Sequence, residues 1–149
     1  MQNISRIESA EIPRKILVAG VVVRDGRVLV MKNIKSGDVR IEVSGGKWEE
    51  GESQEEGVAR EMYEELGIVV RVLRKMGVYQ TDMTKEGVFD VHMHVCEIVD
   101  GEPRVCEPAK CGGILWLTPD ELDSLPDITI SLRSAVPDIR ALIATLPAV

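Results

Sequence analysis

Three glutamates on one short segment, Glu61, Glu64 and Glu65, are the residues of this chain best placed to do chemistry. Their spacing of i, i+3 and i+4 puts them on one face of a helix, where a solvated surface would usually mix acids with bases. At about 100° per residue, Glu65 lies about 40° from Glu61, and Glu64 lies about 60° away on the other side. Oxygen ligands gathered in this way suit a hard cation such as Mg²⁺. The pattern therefore predicts a magnesium site.

The helix that must carry these glutamates has recognisable ends. Ser53 followed by Glu56 predicts a capping box, so the helix should begin at about Gln54, and Gly67 should end it. An apolar stripe beside the acids anchors the helix; it consists of Val58, Met62 and Leu66.

A glycine-rich and charged segment, residues 44–52, precedes the helix. We interpret it as a shaped loop, because it is too rich in glycine for regular structure and too charged for a plain linker. Glycine lets the backbone approach a ligand closely, so a carbonyl of Gly45 or Gly46 could face the same ion as the carboxylates. Arg60 is the expected counter-charge for Glu52, although it could alternatively reach a phosphate.

Nine positions of this region resemble the Nudix box. They are Gly46, Glu52, Arg60, Glu61, Met62, Glu64, Glu65, Gly67 and Ile68. A charged, capped surface helix explains some of the acids but not all of these positions together. The resemblance covers most of residues 14–145. It implies an α/β fold, an α/β/α sandwich with a mixed β-sheet between helices, and divalent-metal-dependent cleavage of a pyrophosphate bond in a nucleoside diphosphate derivative.

The resemblance also implies a ligand set for the metal. Glu61 and Glu65 would be the central ligands, Glu64 would join them directly or through water, and the carbonyl of Gly45 would complete the set. Family members often recruit a further acid from a later loop as ligand or base, and Glu107 is the candidate here; a solvated loop glutamate is the alternative. The expected cofactor is Mg²⁺, which Mn²⁺ could replace.

Five residues are expected to take part in catalysis on the same basis. They are Glu64, Glu65, Glu61, Arg60 and Glu52. Glu52 would support the metal ligands without contacting the metal itself. The attacking water would be activated by the metal, and the protein would supply positioning and electrostatics.

Candidate substrate contacts are Lys47, His92, His94 and Trp116. His92 and His94 share one face of a strand and precede Cys96, which invites a zinc interpretation, but no fourth ligand is placed. The two histidines could instead line the pocket, or their ring nitrogens could be hydrogen-bonded within the sheet. Trp116 could stack on a base or belong to the core.

The substrate is less well specified than the reaction. Residues 107–111, followed by Trp116 and residues 119–122, resemble family members that cleave nucleoside triphosphates to a monophosphate and pyrophosphate. The triphosphate could carry a modified base. The alternatives are a nucleotide sugar, ADP-ribose or a dinucleoside polyphosphate as substrate, or a non-catalytic nucleotide-binding module. An isomerase of isoprenyl diphosphates is more distant.

Length and composition predict one domain. A chain of 149 residues with 44% apolar content can form a single core, and no linker or repeat divides it. We expect an N-terminal arm at residues 1–14 and one domain at 15–149. No stretch approaches the ~20 apolar residues of a membrane span, and the start does not resemble a signal peptide, so a cytoplasmic protein is expected.

The net charge limits the possible binding partners, and the cysteine content predicts the state of the thiols. The net charge of −7 argues against a nucleic-acid polymer, whereas a small nucleotide is compatible with it. Three cysteines without a CxxC pair predict reduced thiols. The sequence leaves a homodimer open.

The remaining pattern predicts how the site is framed. Strands are expected at residues 15–24, 27–32, 39–43, 68–79, 88–99 and 113–117, with a hairpin turn at Asp25-Gly26. A short helix should follow Thr118. A second helix is expected near 129–145, where Pro137 must kink or split it.

Overall fold

Residues 15–146 are described by the computed structural model of this chain. The predicted N-terminal arm, residues 1–14, lies outside them. The strands are β1 (Lys15–Arg24), β2 (Arg27–Asn33), β3 (Arg40–Glu42), β4 (Gly45–Lys47), β5 (Val69–Gln80), β6 (Phe89–Asp100) and β7 (Cys111–Leu117). The helices are α1 (Gln54–Leu66), α2 (Pro119–Ser124) and α3 (Ile130–Thr145).

The central strand β1 joins two branches of a mixed sheet. Along residues 15–22 it runs parallel to β6, which pairs in turn with the edge strand β5. Its end pairs antiparallel with β2, which also contacts β3 and β7. The predicted hairpin turn is confirmed: Asp25 and Gly26 have φ of 52° and 73°, the positive values that a two-residue turn of this kind requires.

Side chains alternate between the two faces of the sheet and so create two cores. On β1, Val18 and Val22 face α1, whereas Ala19 and Val21 face α2 and α3. All four are at most 3% exposed. The predicted sandwich with a mixed sheet between helices is therefore confirmed.

The helix α1 is anchored as the apolar stripe predicts. Val58, Met62 and Leu66 are each 0% exposed and pack against β1 and β5. Among residues 15–146, no helix is long and apolar enough to cross a bilayer.

One local prediction needs correction, and another is decided in part. Residues 45–47 are not loop but the short strand β4, which pairs antiparallel with β1. A Cβ at Gly45 would lie 2.2 Å from the Val18 carbonyl oxygen, so the absence of a side chain is what lets the two strands meet. Of the two predicted effects of Pro137, the split is excluded, because α3 continues through it and Val136 and Ile139, on either side, are buried in the core; the kink stays a prediction.

Truncation of Met62 to Ala should lower the free energy of unfolding by about 2–5 kcal/mol, because the cavity would lie between α1 and the sheet. Tyr63→Ala is the matched control, since Tyr63 lies on the same helix and is 63% exposed; it should change stability by about 0.5 kcal/mol or less. Urea unfolding followed by circular dichroism measures both. Equal losses in the two variants would contradict the assigned orientation of α1.

Candidate active site

Capping interactions at both ends fix α1, and with it the direction of every glutamate on the helix. The Ser53 hydroxyl accepts from the Glu56 N–H at 3.0 Å, and the Glu56 carboxylate accepts from the Ser53 N–H at 2.8 Å. Gly67 ends the helix at φ 68° and donates its N–H to the Tyr63 carbonyl. The predicted capping box and helix bounds are confirmed.

Arg60 ties the helix to the segment that precedes it. Its Nε and Nη2 atoms donate to the two oxygens of Glu52 at 3.1 and 2.8 Å, and Nη2 also donates to the Lys47 carbonyl at 3.1 Å. The guanidinium lowers the pKa of Glu52, and the pKa of Arg60 is raised in return. The prediction that Arg60 is the counter-charge of Glu52 is confirmed.

The remaining nitrogen of Arg60 contacts two glutamates of the helix that differ in exposure. Nη1 lies 3.0 Å from a carboxylate oxygen of Glu64 and 3.3 Å from one of Glu61. The Glu64 side chain is 52% exposed, whereas that of Glu61 is 12% exposed. Glu64 therefore projects to solvent while Glu61 turns toward the sheet.

Glu65 is the most deeply buried acid of the cluster, with 1% of its surface exposed. One oxygen accepts from the Ser44 hydroxyl at 2.7 Å and from the Gly45 N–H at 3.0 Å. The other oxygen is paired with the ammonium of Lys110. Three segments thus meet at a single carboxylate.

Gly46 makes room for the second buried acid. A Cβ at this position would lie 2.1 Å from Oε1 of Glu61, so only glycine lets that carboxylate rest against β4. Burial raises the pKa of Glu61, and the nearby charge of Glu65 raises it further. The structure therefore brings Glu61, Glu65 and the Gly45-Gly46 backbone together.

The donors at this point fit a magnesium ion in type and number. Mg²⁺ is commonly held by one or two carboxylates, with waters and substrate phosphates completing its octahedron, and Glu61 and Glu65 offer only oxygen. Their mutual repulsion is what a divalent cation would relieve. Across residues 15–146 no three His, Cys, Asp or Glu side chains converge as a ready-made metal site. Arg60 holds Glu64 outward, and Glu107 is exposed on its loop.

A cleft of about 510 Å³ opens beside these acids. Its floor is apolar and comes from β1 and β6; it consists of Leu17, Phe89, Val91 and Met93. Residues 129–131, at the start of α3, also line the cleft. Within residues 15–146, the charged residues that line the cleft are four acids and four bases: Glu42, Glu49, Glu61 and Asp82, and Lys35, Arg40, Lys47 and Lys110.

Glu42 is a cleft residue that the sequence interpretation missed. Asn33 donates to its carboxylate at 2.9 Å, and burial raises its pKa. An isolated acid between the apolar residues Ile41 and Val43, next to the glycine pair, was the available signal. It gives the cleft an acidic group remote from the α1 glutamates in sequence.

His92 and His94 lie on the face of β6 that is covered by α1, opposite the cleft. Gln54, the first residue of α1, joins them: its amide nitrogen is 3.1 Å from Nδ1 of His92, and its oxygen is 3.0 Å from Nε2 of His94. Lys75 Nζ is 2.6 Å from the same His92 nitrogen. Burial lowers the pKa of both histidines. Neutral rings that bind the helix start fit these contacts better than a zinc site.

Trp116 also lies away from the cleft. Its ring packs against the core on the α1 side of the sheet, and the Arg24 guanidinium is 4.6 Å from the ring centre. Of the four candidate substrate contacts, Lys47 is the one that lines the cleft. The three cysteines are free thiols, as predicted.

The family follows from a match over most of the chain, since residues 14–139 fit a family model described as NUDIX domain. The chain belongs to the NUDIX family. A protein of Streptomyces ambofaciens named "MutT-like protein" is 50% identical over 58 residues, which cover 38% of this chain and 36% of that relative. The chain thus matches little more than a third of that curated relative.

Solved structures share both the fold and part of the sequence. A MutT NUDIX hydrolase from Burkholderia pseudomallei is 28% identical with a TM-score of 0.75, covering 85% of this chain and 98% of that one. The ORF135 protein of E. coli is 26% identical with a TM-score of 0.72, covering 94% and 98%. Recognition as a MutT-like Nudix hydrolase from the box is confirmed.

Replacement of Arg60 by Gln should lower the free energy of unfolding by about 1–3 kcal/mol, because partly buried carboxylates lose their charged donor. Arg71→Gln is the control, since Arg71 pairs with Glu97 on the surface, where both side chains are at least 45% exposed; it should cost less than about 1 kcal/mol. Chemical denaturation at one salt concentration compares them. A larger loss for the Arg71 variant would contradict the assigned role of Arg60.

Proposed function

We propose that this NUDIX hydrolase cleaves a nucleoside triphosphate, with an ordinary or modified base, to the monophosphate and pyrophosphate. Hydrolysis of a pyrophosphate bond in a nucleotide derivative is the reaction of its family. The observation that carries the proposal is the cleft in which an apolar floor leads directly to Glu61 and a set of cationic side chains. A nucleotide has the same division between an apolar base and a charged phosphate chain.

The two ends of the cleft suit the two ends of such a substrate. The floor formed by Phe89, Val91 and Met93 offers apolar surface to a base. Lys47 and Lys110 offer charge to phosphates next to the acids of α1. One apolar floor supports one nucleoside, which favours a triphosphate over a dinucleoside polyphosphate.

The acids of α1 would hold a divalent cation, Mg²⁺ or Mn²⁺. Glu61 and Glu65, the carbonyl of Gly45 and the more exposed Glu64 are the proposed ligands. When bound, the ion would activate water and neutralise charge on the departing phosphate. Ser44 and the Gly45 N–H orient Glu65 before any substrate arrives. Such preorganisation lowers the cost of reaching the reactive geometry.

Glu64 and Arg60 have a second proposed task at the solvent side of the site. We propose that Glu64 accepts a proton from the attacking water; its carboxylate is half exposed, which supports this role. Arg60 and Glu52 keep the preceding segment and α1 in register. Glu107 lies on an exposed loop, and its charge raises the pKa of Lys110. We leave Glu107 outside the proposed ligand set.

Nucleotide sugars and ADP-ribose are the second candidate substrates. Solved neighbours named UDP-X diphosphatase and ADP-ribose pyrophosphatase are each 16% identical to this chain, a level at which the likeness shows the fold alone. Two relatives of higher identity, the proteins of Streptomyces ambofaciens and Burkholderia pseudomallei, carry MutT names. The triphosphate is also favoured by the resemblance of residues 107–122.

The decisive experiment is a screen with Mg²⁺ and with Mn²⁺ over canonical and oxidised nucleoside triphosphates, nucleotide sugars, ADP-ribose and dinucleoside polyphosphates. We expect the highest kcat/KM for a triphosphate, with monophosphate and pyrophosphate as products. A higher kcat/KM for ADP-ribose or a nucleotide sugar would refute the proposed substrate. Absence of metal-dependent turnover across the whole panel would refute the proposed activity.

Glu61→Gln should lower kcat by at least about 100-fold, because a neutral amide is a poor ligand for a hard cation. Removal of the metal with EDTA should abolish turnover of the wild type, and added Mg²⁺ should restore it. Glu97→Gln is the control, since Glu97 lies on the surface in its pair with Arg71. Activity of the folded Glu61 variant near the wild-type level would exclude Glu61 as a ligand.

A further inference from the structure

The pairing of Lys110 with Glu65 places a cation of the protein itself where a metal ligand is proposed. The Glu65 side chain is 2% exposed, and its second oxygen contacts the Lys110 ammonium. Its first oxygen is already used by Ser44 and Gly45. A metal ion approaching the second oxygen must therefore take the position of the ammonium.

The backbone around Lys110 is fixed, whereas its side chain has space to move. The Ile34 N–H donates to the Lys110 carbonyl at 2.9 Å, and the Lys110 N–H donates to the Glu107 carbonyl at 2.9 Å. The side chain is 27% exposed and lines the cleft. The ammonium can therefore leave Glu65 for the cleft without any change in the fold.

Charge explains why the protein holds a lysine there. A buried, ionised carboxylate without a partner is costly, and Glu61 stands next to Glu65 with a charge of the same sign. Lys110 is close enough to both acids for each to act on its pKa. A single ammonium thus serves the two acids that are proposed to bind the metal.

We propose that Lys110 is an internal counter-ion of Glu65 that competes with the divalent cation, so that metal binding requires its displacement. The inference rests on the proposed role of Glu65 as a metal ligand. It predicts that the metal affinity of the wild type is held below the value that the acids alone would give. It also predicts that less metal is needed to stabilise the protein once the lysine is removed.

The test measures Mn²⁺ binding to the purified protein, without nucleotide, by electron paramagnetic resonance or calorimetry. Lys110→Met should bind Mn²⁺ about tenfold more tightly than the wild type, since the ion pair between Lys110 and Glu65 no longer has to be broken. Lys35→Met is the matched control. It removes the same charge from the same cleft, and among residues 15–146 the Lys35 ammonium forms no ion pair. Its Mn²⁺ affinity should stay within about twofold of the wild type.

Thermal unfolding gives a second readout that does not depend on activity. Without metal, Lys110→Met should melt below the wild type, because Glu65 loses its counter-charge, and Mn²⁺ should raise its Tm by more than it raises that of the wild type. Lys110→Gln, which keeps a hydrogen-bond donor, is the substitute if the Met variant does not fold.

The outcomes separate this inference from the proposed function. If the wild type binds Mn²⁺ but Lys110→Met binds it equally or more weakly, the competition is refuted while the metal site stands. A gain of equal size in Lys35→Met would also refute it, because general charge would then be the cause. If neither the wild type nor Lys110→Met binds Mn²⁺, the metal site and the competition both fail.

Discussion

The buried carboxylate of Glu65 is the charge on which the arrangement of the active-site end depends. It joins α1 to the segment at Ser44 and Gly45 and to the loop that carries Lys110. An ionised group at 1% exposure is tolerable only when both of its oxygens are satisfied. The surrounding elements must therefore meet at this point, which gives the site its preorganisation before any ligand binds.

Arg60 organises the solvent side of the same helix in a complementary way. Its bonds to Glu52 and to the Lys47 carbonyl fasten the segment before α1, while its contact with Glu64 holds that acid outward. The glutamates of one helical face thus divide into a buried pair and an exposed member. The two environments fit the two proposed roles, metal ligand and proton acceptor, because a buried carboxylate is fixed in direction and an exposed one can exchange protons with water.

Most of the helices, strands and turns that position the site could be predicted from the sequence, because their determinants are local. The capping box at Ser53, the turn at Asp25-Gly26 and the apolar stripe of α1 each lie within a few residues. The site could be predicted from the sequence only in part. Contacts of Glu65 with Lys110 and of Gln54 with His94 join residues about 40 positions apart, and no spacing rule reveals them. The sequence predicts a loop at β4 because glycine has low strand propensity, yet Gly45 is required for the close approach of β4 to β1.

Alternation along β6 has a consequence for how such an enzyme can diversify. Phe89, Val91 and Met93 form the floor of the cleft, whereas His92 and His94, on the opposite face, bind the start of α1 through Gln54. Neighbouring residues of β6 therefore have separate roles: one set lines the cleft and the other holds α1. The proposed base-binding floor can thus change through the first set while the second set keeps α1 and its glutamates in place, so that the proposed recognition and chemistry can evolve independently within a single strand.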